Sequence, residues 1–100
     1  MIVVSGTITI DPDKRDRATE LTDELTAETR KESGNISYAY YVALADPASL
    51  RVFEEWESQA AIDEHMASPH MAAFLGNAGD LGISAVEINQ YEVTSKNRIM

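Results

Sequence analysis

The side chains able to do chemistry gather in one stretch, Glu54 to His70, which reads Glu-Glu-Trp-Glu-Ser-Gln-Ala-Ala-Ile-Asp-Glu-His-Met-Ala-Ser-Pro-His. It holds the only Trp and both His of a chain without Cys. His65 and His70 are therefore the side chains whose ordinary pKa lies near neutrality. A neutral imidazole in an apolar pocket suits removal of a proton from an acidic phenol or enol. Trp56 offers either a flat ligand wall or a core filler. Glu54 shares its strand face with Trp56 and reads either as a solvated acid or as the group that fixes the His65 tautomer. The expectation is an inward-facing His65 beside Trp56, with an empty hollow between the rings for a planar guest. His70 lies five residues beyond His65, with Pro69 between them. Two histidines on one helix ligate a metal jointly at i, i+4. No metal site is expected, and His70 instead reads as a contact for an anionic substrate group at the pocket mouth.

These side chains need elements to hold them. Ile2 to Ile10 alternates, with Ile2, Val4, Gly6, Ile8 and Ile10 on one face, which predicts a strand. Gly6 interrupts that face and reads as packing under a helix, or as close approach of a ligand or another backbone. Asp11-Pro12-Asp13 supplies a cap and a first-turn Pro for a helix running to Glu32, with Ala18, Leu21, Leu25 and Thr29 as its buried stripe. Gly34 closes it. Lys31 and Glu32 are expected on a solvated face. Asn35 to Leu44 reads as a strand with Ile36, Tyr38, Tyr40, Val42 and Leu44 on one face, followed by a turn at Ala45-Asp46-Pro47. Leu50 to Glu57 is a further strand, with Val52, Glu54 and Trp56 on one face. Ser58 caps a helix whose stripe is Ala61, Ile62, His65 and Met66. Ser68-Pro69 starts a second helical piece, with Met71, Phe74, Leu75 and Ala78 inward. Ile83 to Val93 is strand-like, before a polar tail from Thr94 to Met100.

The order is β-α-β-β-α-β, an α+β ferredoxin-like arrangement with an antiparallel sheet, as one domain over 1–93 and a tail over 94–100. Helices on one face leave the other bare, with Val3, Tyr41 and part of the last strand, so a homodimer packed sheet to sheet is expected. In the pocket, Ile8, Met66, Met71 and Phe74 set the shape. Tyr38 and Tyr40 offer hydroxyls to a quinone-like oxygen, and Asn35 stands at the strand entrance.

Composition narrows the function classes. The chain has 100 residues, 44% hydrophobic and 25% charged, as in ordinary globular proteins. Its net charge of −9 disfavours binding to nucleic-acid phosphates. No apolar run approaches the ~20 residues of a membrane helix. The N-terminus lacks the basic and apolar regions of a signal peptide. Without Cys there is no disulfide, in keeping with a cytoplasmic protein. No phosphate-binding Gly loop, dinucleotide fingerprint or nucleophile elbow occurs.

The spaced pattern Glu32-x-Gly34-Asn35-x-x-Tyr38, Pro47, Phe53-Glu54-x-Trp56-x-Ser58-x-x-Ala61-x-x-x-His65-x-x-Ser68-x-His70 resembles the antibiotic biosynthesis monooxygenase family over about residues 2 to 93. The resemblance implies a dimeric α+β barrel with a pocket between sheet and helices in each subunit. It implies oxygenation of a quinol or polycyclic phenol by O2 without flavin, haem or metal, hence no cofactor. On that basis His65 is the catalytic base, and Asn35, Tyr38, Tyr40, Glu54, Trp56, Met66, His70 and Phe74 contact substrate. Haem-degrading relatives use an Asn, a Trp and a His where this chain has Gly6, His65 and Leu75, which speaks against haem degradation. Relatives that isomerise a phosphorylated dicarbonyl share the His-x-x-Ser/Thr-Pro-His pattern, so enolisation by His65 is the alternative activity. A non-catalytic ligand-binding dimer is the third.

Overall fold

The computed structural model describes all residues, Met1–Met100. Strand β1 (Ile2–Thr9) leads through a 3-10 turn (Pro12–Lys14) into helix α1 (Arg15–Thr29). Strands β2 (Asn35–Ala43) and β3 (Asp46–Trp56) follow, then helices α2 (Gln59–Met66) and α3 (Pro69–Asn77), a 3-10 turn (Ala78–Leu81) and strand β4 (Ala85–Glu92). The four strands form one open antiparallel sheet in the order β2-β3-β1-β4, the α+β ferredoxin-like fold expected of the pattern. No helix is long and apolar enough to cross a membrane.

Local chemistry accounts for most element ends. Asp11 accepts from the Asp13 N–H at 2.9 Å, and Pro12 occupies the first turn, where a missing N–H costs nothing. Ala18, Leu21, Leu25 and Thr29 of α1 are all buried on one stripe. Helix α1 stops at Thr29, three residues short of the expected Glu32. There the bonding tightens: Lys31 N–H reaches Glu28 O at 3.2 Å and Glu32 N–H reaches Thr29 O at 3.0 Å, both i→i−3 contacts. That turn carries Glu32 off the acidic outer face.

Two further differences lie in the β2–β3 hairpin. Its turn is Leu44-Ala45, and Asp46 and Pro47 already belong to β3, with Asp46 paired to Ala43. Pro is tolerated at the start of a strand, where the ladder asks least of its missing N–H. The register shifts between Asn35 and Ser37, so Ile36 has no partner and turns to solvent, while Tyr38 is buried. Val42 and Leu44, expected on the same apolar face, are exposed as well.

The core lies between one sheet face and the helices: Ile8, Ile10, Leu21, Leu25, Tyr38, Val52, Trp56, Ile62, Phe74 and Leu81, with Ala18. Gly6 pairs with Val52 on one side and Ile88 on the other. A Cβ there would run into the Glu87 carbonyl oxygen and the Ile88 backbone. The group that approaches Gly6 is thus strand β4, rather than a helix or a ligand. Every residue of β4 is exposed, since no helix covers this edge strand.

Candidate active site

Two helices converge on one carboxylate. Helix α2 starts where Ser58 accepts the Ala61 N–H at 3.2 Å, and one turn later it directs His65 inward, 3% exposed. Ser68 then accepts the Met71 N–H at 3.2 Å and donates its hydroxyl to the His65 carbonyl at 2.6 Å. This double use of Ser68 ends α2 and starts α3 back to back. The Pro69 break, expected to separate the two histidines, instead folds His70 back toward His65, with ring centroids 5.9 Å apart. His65 Nδ1 lies 2.8 Å and His70 Nε2 2.9 Å from the same oxygen, Glu32 Oε2.

A carboxylate only accepts, so in the neutral rings both of those nitrogens carry the proton. The tautomers follow. His65 keeps its lone pair on Nε2 and His70 on Nδ1. Glu32 is thus the residue that orients both imidazoles, a part given in expectation to Glu54. Glu54 Oε1 instead accepts from the Trp56 indole N–H at 2.9 Å. Glu32 was expected in water and is 18% exposed. Its signal in the chain is position: it follows the last helical turn and precedes Gly34, where the backbone tightens inward.

Burial shapes the electrostatics around these groups. Glu54 lies on the helix-covered face, and desolvation pushes its carboxyl up to about 7, against the pull of the Trp56 N–H and assisted by the charge of Glu32. The hydroxyls of Tyr38 and Tyr40 are 3.1 Å apart. Burial pushes Tyr40 up to about 12, although its bond to Tyr38 works the other way. Burial, with Tyr40 beside it, holds Tyr38 well above the ordinary phenol range. Both phenols are therefore neutral, and one donates to the other. On the opposite sheet face, Glu55 accepts from the Ser37 hydroxyl at 2.7 Å and meets Lys96 Nζ at 3.1 Å. The Ser37 bond holds its carboxyl below the usual range.

The hollow expected between His65 and Trp56 is filled by the rings themselves. Their centroids are 4.9 Å apart, and Tyr38 lies 5.5 Å from His65, within the about 4.5–7 Å of rings in contact. The open space lies next door. A cleft of about 430 Å³ runs between α1 and α3, with Leu21, Leu25, His70 and Phe74 in its walls and Glu24 and Glu28 beside them. A second hollow of about 320 Å³ lies between α1 and β2, lined by Tyr40, Thr22, Thr26, Leu50, Arg15 and Arg30 among others.

The nine residues singled out in the chain therefore separate. His70 and Phe74 line the first cleft and Tyr40 the second. His65, Trp56, Tyr38 and Glu54 form the buried layer beneath. Asn35 spends its side-chain amide on the carbonyls of Ser37 and Glu55 at 3.0 and 3.3 Å, tying down the β2 bulge. Met66, expected on the inner stripe of α2, is 54% exposed, and Leu75 of α3 is 57% exposed.

Set on this sheet, the cluster gives a small α+β protein with two imidazoles on one carboxylate under its helices. The chain belongs to the antibiotic biosynthesis monooxygenase family, whose pattern matches residues 1–77. It is similar to Rv0793 of Mycobacterium tuberculosis, a proposed monooxygenase, at 39% identity over 70 residues, covering 70% of this chain and 68% of that protein. In structure, Rv0793 superposes with a TM-score of 0.87 over 97% of this chain and 98% of its own, at 28% identity. The uncharacterised protein sll1783 of Synechocystis is 34% identical over 92 residues, 92% of this chain; the chain spans 63% of that relative's length. A Deinococcus radiodurans structure shares the fold with a TM-score of 0.91 at 23% identity, over 100% of this chain and 99% of that one.

Proposed function

We propose that this protein is a monooxygenase that oxidises a quinol or polycyclic phenol with O2 in the α1–α3 cleft. His70 is the base and Glu32 the group that steadies it. The observation that carries this reading is the position of His70: one nitrogen on Glu32 Oε2, and the residue in the wall of a cleft that Leu21, Leu25 and Phe74 also line. Its volume of about 430 Å³ lies within the range of small-molecule sites. His70 Nδ1 takes the phenolic proton, and the Glu32 carboxylate stabilises the imidazolium that forms. The phenolate gives one electron to O2, and the substrate radical and superoxide so formed join in a carbon–oxygen bond. Loss of water from the resulting hydroperoxide leaves the quinone, so that the substrate itself supplies both electrons for the second oxygen atom. Phe74, Leu21 and Leu25 hold the ring system in place. His65, enclosed by Trp56 and Tyr38, acts as a positioning residue through Glu32 rather than as the base itself.

Isomerisation of a phosphorylated dicarbonyl fits less well. The cleft carries Glu24 and Glu28 and no Lys or Arg among its lining residues, which disfavours a substrate that arrives with a doubly charged phosphate. We further propose that two copies pair by their open sheet faces. The register puts Tyr41, Phe53 and Tyr91 on that face, all exposed in the single chain.

An oxygen electrode with reduced quinols and anthrone-type phenols tests the oxygenase reading. Uptake above the spontaneous rate is expected, and His70→Ala lowers it by about 100-fold or more. If no member of such a panel is accelerated, or if the variant keeps full rate, the reading is wrong.

A further inference from the structure

We propose that Glu32, His65 and His70 form a binding site for one divalent transition-metal ion, of which Zn2+ is the test case. The inference goes beyond the oxygenase reading and does not depend on it.

The donors point at one another rather than at solvent. His65 Nδ1, His70 Nε2 and a Glu32 carboxylate oxygen all lie within 4.8 Å of one another. Zinc bonds to imidazole nitrogen and carboxylate oxygen measure about 2.0–2.2 Å, so two donors on one ion lie at most about 4.4 Å apart, close to the spacing already present here. The cluster is assembled before any ion arrives, because both imidazoles already converge on the same oxygen atom. Two neutral imidazoles and one carboxylate form a borderline donor set that zinc, iron, nickel and copper accept and that magnesium and calcium do not favour. The backbone around it is held as well. The Ser68 hydroxyl ties the His65 carbonyl to the Met71 N–H, fixing the backbone on either side of His70's helix start, and Glu32 N–H is bound to Thr29 O.

Loading changes the protons in a defined way. Each imidazole moves its proton to the other ring nitrogen and offers the vacated lone pair to the ion, so no net proton is released from the neutral rings. His65 is buried and His70 borders the α1–α3 cleft, so a water or ligand oxygen that completes the coordination would enter from the His70 side. A loaded His70 carries its proton on Nδ1. The metal-bound form and the base-competent form are therefore alternative states of the same three side chains.

The chain is well suited to a clean test, because His65 and His70 are its only histidines and it has no Cys. Untagged protein is freed of metal with a chelator, dialysed against ZnCl2 and assayed for bound zinc, with thermal midpoint and Co2+ absorption as further readouts. The expected result is saturation at one zinc per chain, a raised midpoint that the chelator reverses, and visible bands of tetrahedral or five-coordinate cobalt. His70→Ala and Glu32→Gln each weaken binding by about tenfold or more. His70 is only partly buried, and its removal leaves the apolar core intact. Zinc that never saturates, binding that survives His70→Ala, or a magnesium effect equal to that of zinc would each overturn the proposal by reducing it to ion adsorption on an acidic surface. None of these readouts involves turnover, so failure here leaves the oxygenase reading standing.

Discussion

Glu54→Gln separates the charge of a buried carboxyl from its hydrogen bond. The glutamine oxygen still accepts the Trp56 indole N–H, and the side-chain volume is nearly unchanged, so packing in the layer beneath the cleft is kept. What disappears is ionisation. In the folded protein burial keeps Glu54 protonated up to about 7, whereas an unburied glutamate ionises near 4.5. Below 4.5 both states hold the proton and Glu54 confers no dependence on pH. Between 4.5 and 7 the unfolded chain releases its proton while the folded one retains it, so stability falls as pH rises. Above 7 both are ionised, and the folded state carries the full cost of a buried charge. The gap corresponds to about 3 kcal/mol, at about 1.4 kcal/mol for each tenfold change in proton affinity. Urea titrations followed by Trp56 fluorescence, at one protein concentration and at pH 4.5, 5.5, 6.5 and 7.5, read it directly. The difference between variant and wild type cancels the other titrating groups, provided that they behave alike in both. It is expected to grow by about 3 kcal/mol in favour of Glu54→Gln across that range. A difference that stays constant with pH, or that moves in favour of wild type, would refute the claim that burial dominates at Glu54.

Two further outcomes follow from the sheet. Gly6→Ala is expected to destabilise the fold by about 3 kcal/mol or more, since its Cβ meets the β4 backbone at Glu87 and Ile88 as well as the Ile88 side chain; chemical denaturation reads the loss, and a change under 1 kcal/mol contradicts it. Sedimentation should give the mass of two 11.0 kDa chains, and Phe53→Lys on the open face should shift it to that of one. A wild type that sediments as a single chain at high concentration would remove the sheet-to-sheet pairing.

Much of the architecture was legible along the chain because its signals are short-range. The alternation of β1, the Ala18-Leu21-Leu25-Thr29 stripe of α1, and the Ser58 and Ser68 caps each depend on residues within a few positions of one another. The inward direction of His65 was legible for the same reason, since a helical stripe decides which side chains face the sheet. Where local rules end, the packing of whole elements takes over. The β2 bulge turned Ile36 outward, and a tightened helix end turned Glu32 inward. Each shift is only a residue or a turn, yet it exchanges the faces of everything it touches.

The amino-acid order by itself determined which elements form, the sequence in which they follow, and which residue types are on hand for proton transfer. Only the tertiary structure decided who meets whom: that Glu32 and not Glu54 holds His65, that His70 joins it on the same oxygen, and that β4 closes over Gly6. It also decided that the cleft lies beside His70 rather than between His65 and Trp56. The physical reason is one of range. Hydrophobic periodicity selects a face through neighbours three or four residues away, whereas a hydrogen-bond partner 33 residues distant is selected by how whole elements pack.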